Sequence, residues 1–532
     1  MKSIIAVILF VSISTLNAQV AQQWVSRYNG PRDTDEPKAM AVDAAGNVHV
    51  TGQSTGAGTN GTLDYLTVKY NSSGDSLWAK RYQSAPFSSD VARAIHVDDQ
   101  GSVYVTGVSN ADYATIKYSV NGDSLWAKTF NGPAFFLDGA NDLFVDPARN
   151  VYVTGGVTNS NYDFGTLKYR SNGTFVWSAY YNGPGNNDDI GYKVTVDRFG
   201  NVYVTGTRVV SGFIPFTDIV TVKYDSTGIQ RWAKIYDGPG GASDYPVGIA
   251  VDSLGNVYVG GTASVASFGS NYVVIKYASN GDSLWARRYN GGTSNGNGAA
   301  AFVIDASGNS YITGTSYSSN TNADYATLKY SPNGDSLWAS RFLGRFTTSS
   351  DAAASLAVDN SGNVFVTGTS GDYETVKYSS SGVQQWAAYY DGPAGLEDDP
   401  VSIALDPAGN IYVTGRSQGV GTAYDYATVK YSQTTGVNDP PDDVPSEYSL
   451  SQNYPNPFNP TTEIRYQISE VSHVTLNVYD ILGREMATLV HEVKRPGAYT
   501  VRWDATRFAS GVYFYRLQAG SFIETKKLIL LR

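Results

Sequence analysis

A chain of 532 residues is long enough for more than one domain with a sizeable core. It has no Cys, four His and a net charge of −10, which excludes disulfides and thiolate chemistry, makes a His-rich metal centre hard to assemble and argues against nucleic acid as a partner. Charged residues are only 16% against 55 Gly and 40 Tyr, the balance of many short strands joined by tight turns.

Residues 1–18 read as a signal peptide. Lys2 is the basic start, residues 4–11 are an apolar run, and small and polar residues lead to Ala18. The run is far below the roughly 18–20 residues that span a bilayer, and no later run is longer, so no membrane span is expected after signal removal.

Two blocks then recur eight times each before residue 435. One is VD-x-x-GN-VYVTG, with its Asp at Asp43, Asp98, Asp146, Asp197, Asp252, Asp305, Asp359 and Asp406. The other is D-Y-x-T-x-K-Y, with its Lys at Lys69, Lys117, Lys168, Lys223, Lys276, Lys329, Lys377 and Lys430, spaced 48 to 55 apart. A period near 50 with several alternating apolar runs per copy predicts a propeller of four-stranded blades. Strand A ends in VD, strand B is VYVTG, strand C is the K-Y block and strand D carries a Trp. Seven Trp strands follow a K-Y block, the eighth block (Lys430-Tyr431) has none, and an orphan copy stands at Trp24. Residues 22–29 are therefore expected to complete the last blade. The fold class predicted is all-β: an eight-bladed β-propeller over 22–435, with seven blades as the alternative, closed by an N-terminal strand.

Two register-locked sets bear on function. Eight positions before each strand-A Asp lie Asp35, Asp90, Asp138, Asp189, Asp244, Asp351 and Asp398, with Asn297 in the remaining copy. They read either as a ring at one mouth that binds cations or sugar hydroxyls, or as carboxylates that cap the loop leading into strand A. The repeated Lys is expected to pair with the Asp that opens its own strand C, or with that acid ring. Loops 53–63, 207–217 (with Phe213 and Phe216) and 262–271 vary between copies and are the candidate protein or glycan site. No metal or cofactor is assigned. Calcium would suit the oxygen donors, but D-x-x-G-N-V is explained by turn geometry alone. G-x-S-x-G at 52–56 and 415–419 lacks the strand–turn–helix context of a nucleophile elbow.

Residues 436–447 are a Pro- and Asp-rich linker. Residues 448–532 predict a small β-sandwich with strands at 474–479, 498–503, 512–517 and 522–530.

The repeats resemble the bacterial propeller repeat family named for its seven-bladed members, and are similar to NHL repeats in their D-x-x-G-N-V-Y turns. The tail resembles the C-terminal sorting domain of the type IX (Por) secretion system of Bacteroidetes. The matching positions include Asn453, Pro455, Pro457, Phe458, Gly483, Gly497, Trp503, Gly511, Tyr513, Lys526 and Lys527. That resemblance implies recognition of 448–532 by an outer-membrane translocon and passage through the periplasm to the surface or medium. The functional expectation is a monomeric binding, adhesion or scaffold module for an extracellular glycan or protein. The alternative is a secreted enzyme on polysaccharide.

Overall fold

The computed structural model describes residues 19–30, 34–56, 62–134, 137–159, 161–212, 215–239, 241–265, 269–292, 296–318, 321–345, 350–434, 448–453, 455–468, 472–494, 497–520 and 522–531. The signal peptide and linker assigned above lie outside them. The chain divides into two compact units, residues 1–435 and 436–532.

The first unit consists of eight antiparallel four-stranded sheets, and no helix occurs among the described residues. In the second sheet, strands A to D are Asp90–Val97, Val103–Ser109, Asp112–Tyr118 and Ser124–Phe130, in that spatial order. The other sheets repeat it. Strand A starts at the rim acid itself, earlier than alternation suggested, because a register shift between Ala92 and Ala94 breaks the period of two. The same shift recurs in every sheet, as at Pro37/Ala39 and Gly191/Lys193. It explains the Gly of VYVTG. A Cβ on Gly107 would lie 2.1 Å from the Val91 carbonyl oxygen, and one on Gly415 would lie 2.1 Å from that of Asp399. The first and last of these glycines, Gly52 and Gly415, also open the two G-x-S-x-G runs. Both are strand residues that clear a bulge.

Successive sheets pack face to face. Tyr104, Tyr113 and Trp126 of the second sheet share a core with Leu143, Val151, Val153 and Leu167 of the third. The same arrangement joins the last sheet to the first, where Trp24, Tyr412 and Tyr426 pack on Met40, Val48, Val50, Leu66 and Val68. The N-terminal strand Gln19–Tyr28 is the outer strand of the eighth sheet. It pairs with Tyr424–Thr434 and sets Trp24 opposite Lys430. The buried tyrosines also tie neighbours by hydrogen bonds: Tyr113 donates to the Gly165 carbonyl at 3.1 Å and Tyr373 to that of Ala427 at 3.2 Å.

The second unit has two sheets on one core. Ser449–Leu450, Thr461–Ile468 and Gly497–Asp504 form one; Glu485–Lys494, Ser472–Tyr479, Gly511–Ala519 and Phe522–Leu530 form the other. Ile464, Tyr466, Leu476, Trp503, Tyr515 and Leu528 meet between them. Four strands match those predicted. Ser449–Leu450, Thr461–Ile468 and Glu485–Lys494 are strands beyond those four.

Candidate functional site

Each sheet has two rims. At one, strand A ends in the repeated Asp, whose carboxylate closes the A–B turn. Asp406 accepts the amide N–H of Ala408 and of Asn410, both at 2.9 Å, the Asn410 side-chain amide at 2.7 Å and the Tyr412 hydroxyl at 2.9 Å. That use of every residue in D-x-x-G-N-x-Y accounts for the motif without a ligand. A shallow pocket on this rim is lined by Val196, Asp197, Phe199, Val251 and Asp252.

The repeated Lys corrects an expectation. Among the described residues no strand-C Lys forms an ion pair with the Asp of its own strand or with the rim acids. The reason is reach: Asp64 and Lys69 lie five residues apart, about 16 Å along a strand. Lys223 instead passes over the Tyr203 ring at 5.1 Å and donates to the Ser279 carbonyl of the next sheet at 3.0 Å. The Trp232 indole N–H donates to that same oxygen at 3.2 Å. The latch recurs as Lys69 and Trp78 on Val120, Lys117 and Trp126 on Ser171, and Lys276 and Trp285 on Pro332. Across the chain ends, Lys430 and Trp24 both donate to the Ser72 carbonyl, at 2.9 and 3.0 Å. The seventh sheet differs. Lys377 turns to the Gln433 side chain, and the Trp386 indole N–H has no partner. The eighth sheet takes its fourth strand from the N-terminus, so it has no C–D turn to offer a carbonyl.

The opposite rim carries the B–C loops, the D–A loops and the acid set. Asp35, Asp90, Asp138, Asp189, Asp244, Asp351 and Asp398 are all buried, as is Asn297. Six of the acids, and Asn297, clip the loop leading into the strand. Asp244 accepts the Gly238 amide at 2.6 Å and the Ser264 amide at 2.9 Å; Asp138 accepts those of Gly132 and Thr158. Facing them across each seam is the Asp that opens strand C of the preceding sheet. Arg residues neutralise several of these: Arg27 on Asp425 at 2.9 Å, Arg81 on Asp64 at 3.0 Å and Arg208 on Asp218 at 2.7 Å. At the third seam, burial pushes Asp163 and Asp189 up to about 6, and the Asp188 charge adds to both. Burial likewise pushes Asp244 up to about 6. Neither the seam pairing nor the latch was expected from the sequence. Both join residues of different copies, and the signal that could have found the seam pairing is that the facing acids are replaced together where the fifth sheet meets the sixth, with Asn271 and Asn297.

The candidate loops are shorter than read. Strands B and C of the fourth sheet extend until Val210 pairs with Phe216, so 207–210 and 216–217 are strand. Phe216 is half-buried, and Phe213 lies outside the described residues. Residues 53–55 and 262–264 are likewise strand.

In the second unit the sorting-motif residues divide. Asn453 and Phe458 are buried: the Asn453 side chain donates to Thr462 at 2.9 Å, and Phe458 packs on Trp503, which in turn meets Tyr513. Gly483 takes a φ of +78° in the turn closed by Asp480. Gly497 and Gly511 open strands. Pro455, Pro457 and Lys527 are exposed, and Lys526 pairs with Glu524 at 2.9 Å.

Comparison with known proteins follows the same division. Residues 452–531 match the family described as "Secretion system C-terminal sorting domain". Residues 23–58, 176–207, 238–269 and 385–421 match "Beta-propeller repeat". Three of these segments run from strand D of one sheet into strands A and B of the next, and 238–269 covers strands A and B of the fifth sheet. No curated protein matches. Among solved structures, PorZ, a surface component of the type-IX secretion system of Porphyromonas gingivalis, is 13% identical over 93% of this chain and 74% of its own, with a TM-score of 0.33. A fungal alcohol oxidase of the AA5 family is 11% identical over 96% and 99%, with a TM-score of 0.41. Drosophila Plexin A, in complex with Semaphorin 1b, is 10% identical over 77% and 88%, with a TM-score of 0.38. Likenesses this distant assign no function to this chain. No helix of the described residues is long and apolar enough to cross a membrane. The chain is thus built from bacterial β-propeller repeats and ends in a secretion system C-terminal sorting domain of the type IX kind.

Proposed function

We propose that the first unit is a closed eight-bladed propeller that works outside the cell, as a monomer, in binding, adhesion or scaffolding. The sorting domain marks the chain for type IX export to the surface or medium, and the route runs through the periplasm after removal of residues 1–18. Closure is supported by the shared carbonyl of Ser72, where Lys430 and Trp24 converge from opposite ends of the unit.

The observation that carries the binding reading is the commitment of the repeated polar groups. The strand-A Asp, the rim Asp and the strand-C Lys are all engaged in holding turns and seams. The copy-specific residues of the B–C loops, above that acid rim, are what remains to recognise a partner, with Phe213 and Phe216 as candidate contacts. The acids beneath serve as the frame that positions those loops. The ligand class is an extracellular glycan or protein. The test is a glycan array and a polysaccharide pull-down with the full chain, beside a variant in which 211–215 are replaced by Asn-Gly. Retention of a polymer by the parent and its loss in the variant is expected. Depolymerisation of that polymer would instead make the protein an enzyme and overturn the reading.

A further inference from the structure

We infer that the seam between the fourth and fifth sheets is a divalent-cation site of the calcium type, built from Asp218, Asp237 and Asp244. Asp218 lies near the start of strand C of the fourth sheet (Phe216–Tyr224), Asp237 directly follows its strand D (Gln230–Tyr236), and Asp244 opens strand A of the fifth sheet. One carboxylate oxygen from each lies within 4.8 Å of the other two. Oxygens around an ion bound at about 2.4 Å are spaced within that limit.

Charge and satisfaction point the same way. Among the described residues the one ion pair made by these three carboxylates is with Arg208, whose Nε and Nη2 both engage Oδ2 of Asp218 at 2.9 and 2.7 Å. Asp218 is fully buried, and its Oδ1 has no hydrogen-bond partner. An unpaired, buried carboxylate oxygen is costly unless a donor or a cation meets it. The two charges left over equal those of one divalent ion. Asp237 is exposed, which gives the ion access from solvent.

The next seam is an internal contrast. There the same three positions are Asn271, Asn290 and Asn297. The Asn297 amide donates to the carbonyls of Ser270 and Asn290 at 3.1 and 3.0 Å, so that seam supplies its own donors. Three carboxylates have no such protons to give, and hard oxygen donors select calcium over softer metals.

The test uses the full chain stripped with EDTA, the exposed-site variant Asp237→Asn, and Asp391→Asn from the comparable Asp372–Asp391–Asp398 group. Melting temperature with and without calcium, and terbium emission sensitised by Tyr236, are the readouts. Calcium is expected to raise the melting temperature of the parent and of Asp391→Asn. Asp237→Asn should melt as the parent does without calcium, lose the rise and bind terbium at least about tenfold more weakly. No rise in the parent at about 10 mM calcium, or an undiminished rise in Asp237→Asn, would overturn the site.

Discussion

Asp163 is the residue where seam electrostatics can be read most directly. It is buried, and its pKa is pushed up to about 6 by burial, with the Asp188 charge adding to the rise. Its folded pKa lies above its unfolded value, so the folded state holds the proton more tightly. Its contribution to stability is present below about pH 4 and is lost as pH rises through about 6. Asp163→Asn mimics the protonated form at all pH values. The variant's advantage over the parent should therefore grow by about 1–2 kcal/mol between pH 5 and pH 8. Chemical denaturation at both values measures the difference, and groups that titrate equally in both proteins cancel. An equal offset at the two pH values would refute the assignment. The glycines of VYVTG are the steric counterpart. Gly107→Ala places a methyl 2.1 Å from the Val91 carbonyl and should cost about 1–3 kcal/mol.

At the scale of the element, the unit of cohesion is the latch between one sheet's strands C and D and the next sheet's C–D turn. Its two donors share one carbonyl, so removing either exposes a different part of the contact. Lys223→Met loses a charged hydrogen bond to Ser279 and should lower stability by about 1–2 kcal/mol. Trp232→Phe loses the indole hydrogen bond to the same oxygen, whereas Trp386→Phe loses none, because the Trp386 N–H has no partner. Urea melts should rank Trp232→Phe as the more destabilised by about 1 kcal/mol. The repeat itself was legible from alternation and turn residues. The latch was not, because the Lys and its acceptor belong to different copies some fifty residues apart. Local pattern favoured a carboxylate partner that in fact stands at the far end of the same strand.

For the whole molecule, the chain ends matter most. Gln19–Tyr28 supplies the outer strand of a sheet whose other three strands come from residues 398–434. Deleting 19–28 leaves the Tyr424–Thr434 edge unpaired and removes Trp24 from the Ser72 carbonyl. The melting temperature should fall by about 10 °C or more, and proteolysis should begin in the last sheet. At the other end, deletion of 448–532 should leave the propeller in the periplasm, as cell fractionation would detect. Normal surface display after that deletion would refute the sorting role.

Periodicity, turn chemistry and the count of repeats made the repeated strands, their order within each sheet and the junction of the two ends legible, and the sorting tail was legible from its motif's resemblance to a known family. Each of these is encoded by residues close together in the chain or by a motif repeated in it. Tertiary structure alone decided the seams: which Asp faces which, why Arg208 leaves one oxygen of Asp218 unmet, and where each Lys lands. Those contacts form between sheets, where burial strips water from charged groups and partners are set by packing rather than by spacing along the chain.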